Sequence, residues 1–433
     1  MTSLRLQPPA AVRDIAHTLE AAGHEAWCVG GAVRDAFLGI PTLDWDLATS
    51  ARPEEVQRLF RRTVPVGIRF GTVGVLDRSG VLHEVTTFRH DVETDGRHAM
   101  VRFGASLDED LARRDFTINA IAVHAERLEV RDPFDGRRDL LEGVVRCVGD
   151  PDARMEEDRL RALRALRFAG RFGFTIEAGT WAAIRGSAKH LGRLSMERVK
   201  QELEKVMEQV AHPSGTLERY RAAGVFAAVI PALAEVTTTR FRTLDYLAMP
   251  GLLGRPHRRD LRLAALFVEP GIGPVSRLAA QLKALRYSNI EVALTLDLSR
   301  AIGELGALDA WVIDGEPDAA LRRRVARVGP LFVPLVARVL WAHHRALAGP
   351  TGPTPVMCRT ARATYRHAMR CAWRDPITLA DLAVDGDDLR GAGITAGPQV
   401  GRILQQLLDQ VLDDPTRNTR DHLLRAAITL HAS

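Results

Sequence analysis

Three acidic residues near the start of the chain have the types and spacing to work on phosphate. Asp44 and Asp46 flank Trp45 in a segment that reads as a strand, so both carboxylates point to one face, roughly 7 Å apart, and the indole to the other. Two hard oxygen donors side by side form half of a divalent-cation site. Glu84, in the strand pattern VLHEVTTFR, is a candidate third carboxylate if that strand lies beside the first. Three acids around two ions about 4 Å apart suit in-line attack on phosphorus. One ion lowers the pKa of the attacking hydroxyl, and the other holds a triphosphate and neutralises the leaving pyrophosphate. Just upstream, Gly30 and Gly31 precede a short helical pattern, a place where backbone N–H groups can cradle phosphate. Arg34 falls in the first turn after them, within reach of the same phosphate, while Asp35 pairs locally.

A second group follows in ARRDFTINA, with Arg113, Arg114, Asp115 and Asn119. Arginine can grip phosphate with two parallel hydrogen bonds, and aspartate can accept from a ribose 2′-hydroxyl. The third group is EDRLRALRALR, residues 157–167, read as one helix with Leu160, Leu163 and Leu166 as its apolar seam. Arg161, Arg164 and Arg167 step by three and fan across one side. Asp158 and Arg161 are i,i+3 neighbours that set an acceptor beside a donor. Cytosine and adenine each show an amino donor next to a ring-nitrogen acceptor; uracil and guanine show the reverse. An Asp–Arg pair therefore matches C and A and mispairs with U and G.

The elements that must position these groups follow from pattern. The apolar run 26–29 is a buried strand, and AVRDAFLG is a short helix stopped by Gly39. Residues 8–22 and 52–62 read as helices, the second with Pro53 in its first turn. GTVGVLD and VLHEVTTFR form a hairpin around Arg78-Ser79-Gly80. Residues 90–103 are polar and contain Gly96, which predicts a flexible loop. Ser106 and Glu109 have capping-box spacing at the head of a helix expected to run through SLDEDLARRDFTINAIAV. RLEVRDPF is a last strand, and from about Asp150 onward only helical patterns remain. The fold class implied is an α+β head with a small mixed sheet, followed by an all-α remainder.

At 433 residues with 46% apolar content the chain can bury more than one core. No run of eighteen apolar residues occurs, and the first residues lack a secretory signal pattern. Four scattered cysteines without a C-x-x-C pair argue against a zinc site or disulfide framework and fit the cytoplasm. Net charge is only +5, yet residues 321–374 hold eleven arginines and no acid, a footprint for a polyanion partner. Aromatics are few, at 6%, which favours phosphate contacts over base stacking.

Taken together, GGAVRD, the D-W-D strand with LATSARPEEV, EVTTFR, LARRDFTINAIA, DPFDG and EDRLRALRALRF closely resemble the class II CCA-adding tRNA nucleotidyltransferase and bacterial poly(A) polymerase family. The resemblance covers about residues 25–175. It implies that Asp44 and Asp46 bind magnesium, with Glu84 as the third carboxylate. It further implies that Gly30, Gly31, Arg34 and Arg114 face the triphosphate and Asp115 the ribose. Asp158 and Arg161 match the family's protein template for the incoming base, with Arg164 and Arg167 alongside. The implied organisation is a catalytic head over 1–148, a neck over 149–210, a body over 211–320 and an arginine-rich, tRNA-binding tail over 321–433. The implied substrates are tRNA, CTP and ATP, for a monomer or homodimer. CC-adding, A-adding and poly(A)-adding enzymes share these head motifs, and a loop at 90–103 favours full CCA addition. A catalytically dead RNA-binding protein is the rival from another class, disfavoured by the intact carboxylates. DLRLAALFVEPG carries Glu269-Pro270 where some relatives have a His-Asp pair, so no second, hydrolytic activity is expected.

Overall fold

The computed structural model describes residues 6–42, 44–94, 99–247, 257–305 and 318–432. The chain forms two compact units, Met1–Val210 with Arg219–Ala234, and Ala211–Glu218 with Glu235–Ser433.

The first unit is built on strands β1 (Ala26–Val29), β2 (Asp46–Thr49), β3 (Thr63–Gly67), β4 (Thr72–Leu76), β5 (Leu82–Thr87), β6 (Arg89–Thr94), β7 (Ala99–Phe103), β8 (Ala122–His124) and β9 (Val130–Arg131). Seven of them form one mixed sheet in the order β3-β4-β5-β2-β1-β8-β9. Only β2 and β5 run parallel; the other neighbours are antiparallel. Helices α1 (Ala10–Ala21), α2 (Gly31–Phe37), α3 (Pro53–Leu59), α4 (Leu107–Ala112) and α5 (Gly136–Glu142) surround this sheet in sequence, and α6 (Pro151–Glu157), α7 (Leu160–Phe172), α8 (Ala178–Ser187) and α9 (Met196–Gln209) follow. Helix α1 buries Val12, Ile15, Ala16 and Leu19, an i, i+3, i+4, i+7 stripe worth roughly 1.5–3 kcal/mol for each large side chain. Val29, Ala48, Phe88, Leu107, Leu111, Ala120, Ala122 and Val148 close one hydrophobic cluster over the middle strands.

Three expectations are corrected here. The stretch 90–103, expected as a flexible loop, instead carries β6 and β7, which pair antiparallel; residues 95–98 lie outside the described residues. Polar strands without apolar alternation give no strand signal, because the ladder itself is backbone. The helix begun by Ser106 does form its capping box, with the Ser106 N–H donating to Glu109 Oε2 at 2.6 Å, but it ends at Ala112. The apolar run after it becomes β8, because Ala120, Ile121, Ala122 and Val123 are all buried and a short run buried on every side has no readable period. Finally, a two-residue parallel ladder joins Val144–Val145 to Thr175–Ile176 beyond the last expected strand.

The DPFDG turn shows how tightly the first unit is tied. Asp132 accepts from the N–H groups of Gly136 (2.7 Å) and Arg137 (2.9 Å), and Asp135 takes a left-handed φ of 56°. A Cβ on Gly136 would stand 2.1 Å from the Thr117 carbonyl oxygen. Gly136→Ala therefore forces a backbone shift, and a loss of about 3 kcal/mol is expected, read as a lower melting temperature; an unchanged one would refute the contact.

Among its described residues the second unit is helical apart from a two-residue ladder, Val268–Glu269 with Gly273–Pro274. Its interior holds guanidinium groups with dedicated partners. Arg262 donates to the carbonyl oxygens of Leu244 (3.2 Å) and Ala211 (2.8 Å). Buried Arg240 pairs with Glu269 at 3.2 Å, and Thr237 donates to the same carboxylate at 2.8 Å. Among the described residues no single helix is long and apolar enough to cross a membrane.

Candidate active site

The acidic group assembles across neighbouring strands. Val29 of β1 sits opposite Asp46 of β2, and the parallel partners Leu47 and Val85 put Asp46 and Glu84 one step earlier on the same face. Strand β2 begins at Asp46, so Asp44 lies just before the strand and not within it. The alternation still holds: Trp45 is buried, Asp44 exposed and Asp46 half-buried. Burial and the charges of Asp44 and Glu84 push the Asp46 carboxyl up to about 7, against an opposing pull from Arg114. Crowded carboxylates with one nearby guanidinium are a hard-donor set that a divalent cation would relieve. Cys28 lies behind them on β1; burial, then the Asp46 charge, push its thiol up to about 12, so it is no nucleophile.

The glycine turn lets the cationic side of the site come close. Gly30 has φ 75° and ψ −134°, a conformation that side chains disfavour. A Cβ there would lie 3.2 Å from Arg114 Nη1 and 3.8 Å from Asp46 Oδ2. Arg114 is otherwise held by Asp110 (3.1 Å) and the Asn119 carbonyl (3.4 Å), and its buried Nε has no hydrogen-bond partner among the described residues. An unpartnered N–H beside a glycine turn and a helix start fits a phosphate oxygen. Gly31, next in the turn, opens α2.

Arg34 is placed differently from the expectation. It is 4% exposed and donates to Asp35 at 2.8 Å and to Asn119 Oδ1 at 2.6 Å. Its guanidinium lies 4.9 Å from the Phe168 ring and 4.8 Å from the Phe172 ring, and those two rings are nearly parallel. It ties α2 to α7. Asp115 is equally engaged: Oδ1 accepts from Asn119 (2.9 Å), and Oδ2 accepts from Arg164 (2.7 Å). Burial alone would raise its carboxyl, but the Arg164 charge and these hydrogen bonds outweigh that and hold it below the usual carboxylate range. Asn119, Phe168 and Phe172 thus anchor the site, and pattern reading gave them no such role; only the nearness of Asn119 to Asp115 in sequence hinted at it.

The single helix expected over 157–167 is broken. Asp158 is extended (φ −147°, ψ 102°) between α6 and α7, and its Oδ1 caps α7 by accepting from the Leu160 N–H at 3.0 Å. Its Oδ2 accepts from Arg198 at 2.7 Å, a partner the sequence did not suggest. Arg161 is mostly buried and donates to Glu157 (2.7 Å) and to the carbonyls of Arg154 (3.0 Å) and Arg113 (3.1 Å). The two side chains share a corner of the fold but not a hydrogen bond. Arg167 turns inward, 4% exposed, to Glu202 at 2.6 Å. Of the three arginines fanned along α7, Arg164 keeps the most exposed side chain, at 32%.

Comparison with known proteins matches this arrangement. Residues 26–146 match the poly A polymerase head domain, and residues 173–237 match the probable RNA and SrmB-binding site of polymerase A. The CCA-adding enzyme of Lacticaseibacillus paracasei is 35% identical over 413 residues, 94% of this chain and 93% of that one. The crystal structure of the Bacillus stearothermophilus CCA-adding enzyme in complex with CTP is 30% identical, with a TM-score of 0.76 over 99% of this chain and 98% of that one. A tRNA nucleotidyltransferase complexed with a primer tRNA and an incoming ATP analog is 25% identical, with a TM-score of 0.61 over 76% of this chain and 94% of that one. With its carboxylates, glycine turn and full-length likeness in place, the chain belongs to the CCA-adding enzyme family of nucleotidyltransferases.

Proposed function

We propose that this protein adds C, C and A to the 3′ ends of tRNA from CTP and ATP, without a nucleic-acid template and with magnesium. The observation that carries the reading is the Asp46–Glu84 pairing across β2 and β5, with Asp44 alongside and the Gly30–Arg114 turn above. The terminal ribose hydroxyl of the RNA attacks the α-phosphorus; the new O–P bond forms as the bond to the β-phosphate oxygen breaks, and pyrophosphate leaves. Magnesium held by Asp44 and Asp46, with Glu84 as the third acid, would supply charge neutralisation and an acidified hydroxyl. Among the described residues no group of three His, Cys, Asp or Glu side chains is by itself placed to hold a metal ion. Magnesium keeps waters and takes substrate phosphates beside one or two carboxylates. Gly30, Gly31 and Arg114 hold the triphosphate, and Arg34 and Asp115 serve by fixing the segment that carries Arg114. Asp158 and Arg161, with Arg164, select the base; Arg167 is a strut behind them.

In this reading a head spans 1–148, a neck 149–210, a body 211–320 and a tail 321–433 that grips tRNA, all in the cytoplasm, and residues 219–234 of the body belong to the first unit with the head and neck. Arg322 is not part of that grip, since it is buried and donates to the carbonyls of Leu412 (2.7 Å) and Asp413 (3.0 Å).

The test is product length, with tRNA ending before its CCA and with CTP and ATP singly and together. Two additions with CTP and a third only with ATP are expected. A stop after two with both present means a CC-adding enzyme, and a long ATP ladder a poly(A) polymerase. Base choice is tested by Asp158→Ala. Its loss should cost on the order of 100-fold in preference for CTP over UTP while tRNA affinity holds; unchanged preference would remove Asp158 from base selection.

A further inference from the structure

The acid-free stretch contains a cleft that phosphate contacts alone do not explain. Helices Val333–Ala348 and Pro355–Arg374 enclose about 320 Å³ between them, within the usual range of ligand sites. Its walls include Arg338, Trp341, Cys358, Arg362, Thr364 and Tyr365, and no carboxylate. We propose that this cleft takes one unstacked nucleotide of the RNA partner, its base against Trp341 and Tyr365 and its phosphate on Arg338 and Arg362. The proposal rests on the tRNA reading above and adds to it a defined pocket for a base.

Three observations converge on that occupant. First, the arginines here divide into two sets. Arg323, Arg327 and Arg370 are paired, with Asp413 (2.6 Å), Glu304 (2.8 Å) and Asp318 (2.5 Å). Arg338, Arg359, Arg362 and Arg366 are exposed and, among the described residues, have no carboxylate partner. Second, Arg359, Arg362 and Arg366 lie at i, i+3 and i+7 on one helix face, and Arg338 stands on the opposite wall, so positive charge borders the cleft from both sides. The nearest acids in sequence are engaged: Asp318 with Arg370 and His367, and Asp375 with Arg322 at 3.5 Å. Third, in a chain poor in aromatics, an indole and a phenol ring line the same small cavity, and Tyr365 is 40% exposed. Flat rings beside guanidinium groups are the surface on which unpaired RNA bases stack. An acidic peptide would answer the charge, but helix walls offer it no open backbone edge.

The experiment uses the full-length protein and compares tRNA lacking CCA with a blunt acceptor-stem duplex that has no loops. Trp341→Ala/Tyr365→Ala should weaken tRNA binding roughly 10- to 100-fold with the salt slope unchanged, and leave duplex binding alone. Arg338→Ala/Arg362→Ala should weaken it and reduce the slope of log K against log salt by roughly 1 to 2. Trp341→Phe/Tyr365→Phe keeps the rings and should retain affinity, which separates stacking from loss of fold. Equal tRNA affinity in the alanine pair, or equal loss on the duplex, would overturn the proposal. So would a second equivalent of bound CTP or ATP that vanishes in the pair, which would make the cleft a mononucleotide site. If wild-type protein neither binds nor extends tRNA, the functional reading fails; if it does and the variants match it, only this inference fails.

Discussion

Asp46→Asn is expected to abolish nucleotide addition while making the metal-free protein more stable. Removing one of the carboxylates proposed to hold magnesium should forfeit about 4 kcal/mol of transition-state stabilisation, on the order of 1,000-fold in rate. The stability change has the opposite sign. Asp46 titrates near 7 in the folded protein, above the ordinary 3.8 of an aspartate in an unfolded chain. Between those values the folded state binds more protons, so stability falls as pH rises through the window and the penalty is complete above 7. Asparagine cannot ionise and escapes that penalty. In chelator at pH 8 the variant should melt higher than wild type; adding magnesium should raise wild type and leave the variant in place. Turnover within about tenfold of wild type would remove Asp46 from the site. tRNA affinity should not change, which shows that the loss is chemical.

The second large effect is expected at Glu202. Its carboxylate and the Arg167 guanidinium form a buried pair, 2% and 4% exposed, at 2.6 Å, and Lys205 reaches the second oxygen at 3.2 Å. Glu202→Ala leaves Arg167 charged and buried, with only Gln209 at 3.3 Å to accept from it. A loss of about 3–5 kcal/mol in unfolding free energy is expected, measured by denaturant titration. Arg167→Leu/Glu202→Leu should recover much of it, because the desolvation cost disappears with both charges. If Arg167 instead contacted nucleotide, Glu202→Ala would alter nucleotide KM with little change in stability.

The pattern of legibility follows from range. Strands β1, β4 and β5, helices α1 to α3 and the Ser106 capping box are set by residues within a turn or an alternation of one another, and their spacing alone places them. The acids Asp46 and Glu84 were legible because strand faces follow from parity, although their adjacency needed the β2–β5 pairing. What stayed hidden is long-range pairing of side chains. Arg164 with Asp115, Arg167 with Glu202 and Arg198 with Asp158 are separated by 49, 35 and 40 residues. Nothing local distinguishes an arginine aimed at a ligand from one aimed at a distant carboxylate. The break at Asp158 was hidden for a related reason. An aspartate inside a strong leucine-arginine period reads as helix until its side chain is seen capping the next one.

The division of the chain into interleaved pieces bears on how it is made. Residues 211–218 belong to the second unit, and the first unit is completed only by Arg219–Ala234, whose Tyr220 hydroxyl donates to the Leu163 carbonyl at 3.4 Å. During synthesis the first unit therefore still lacks its last segment when residue 210 emerges. It waits for a segment of the second unit to pass and for residue 234 to clear the ribosome, a delay of roughly one to five seconds at ordinary elongation rates. Growth of the helical half is thus coupled to completion of the active one, and a nascent chain arrested in between carries the three acids on an unfinished unit.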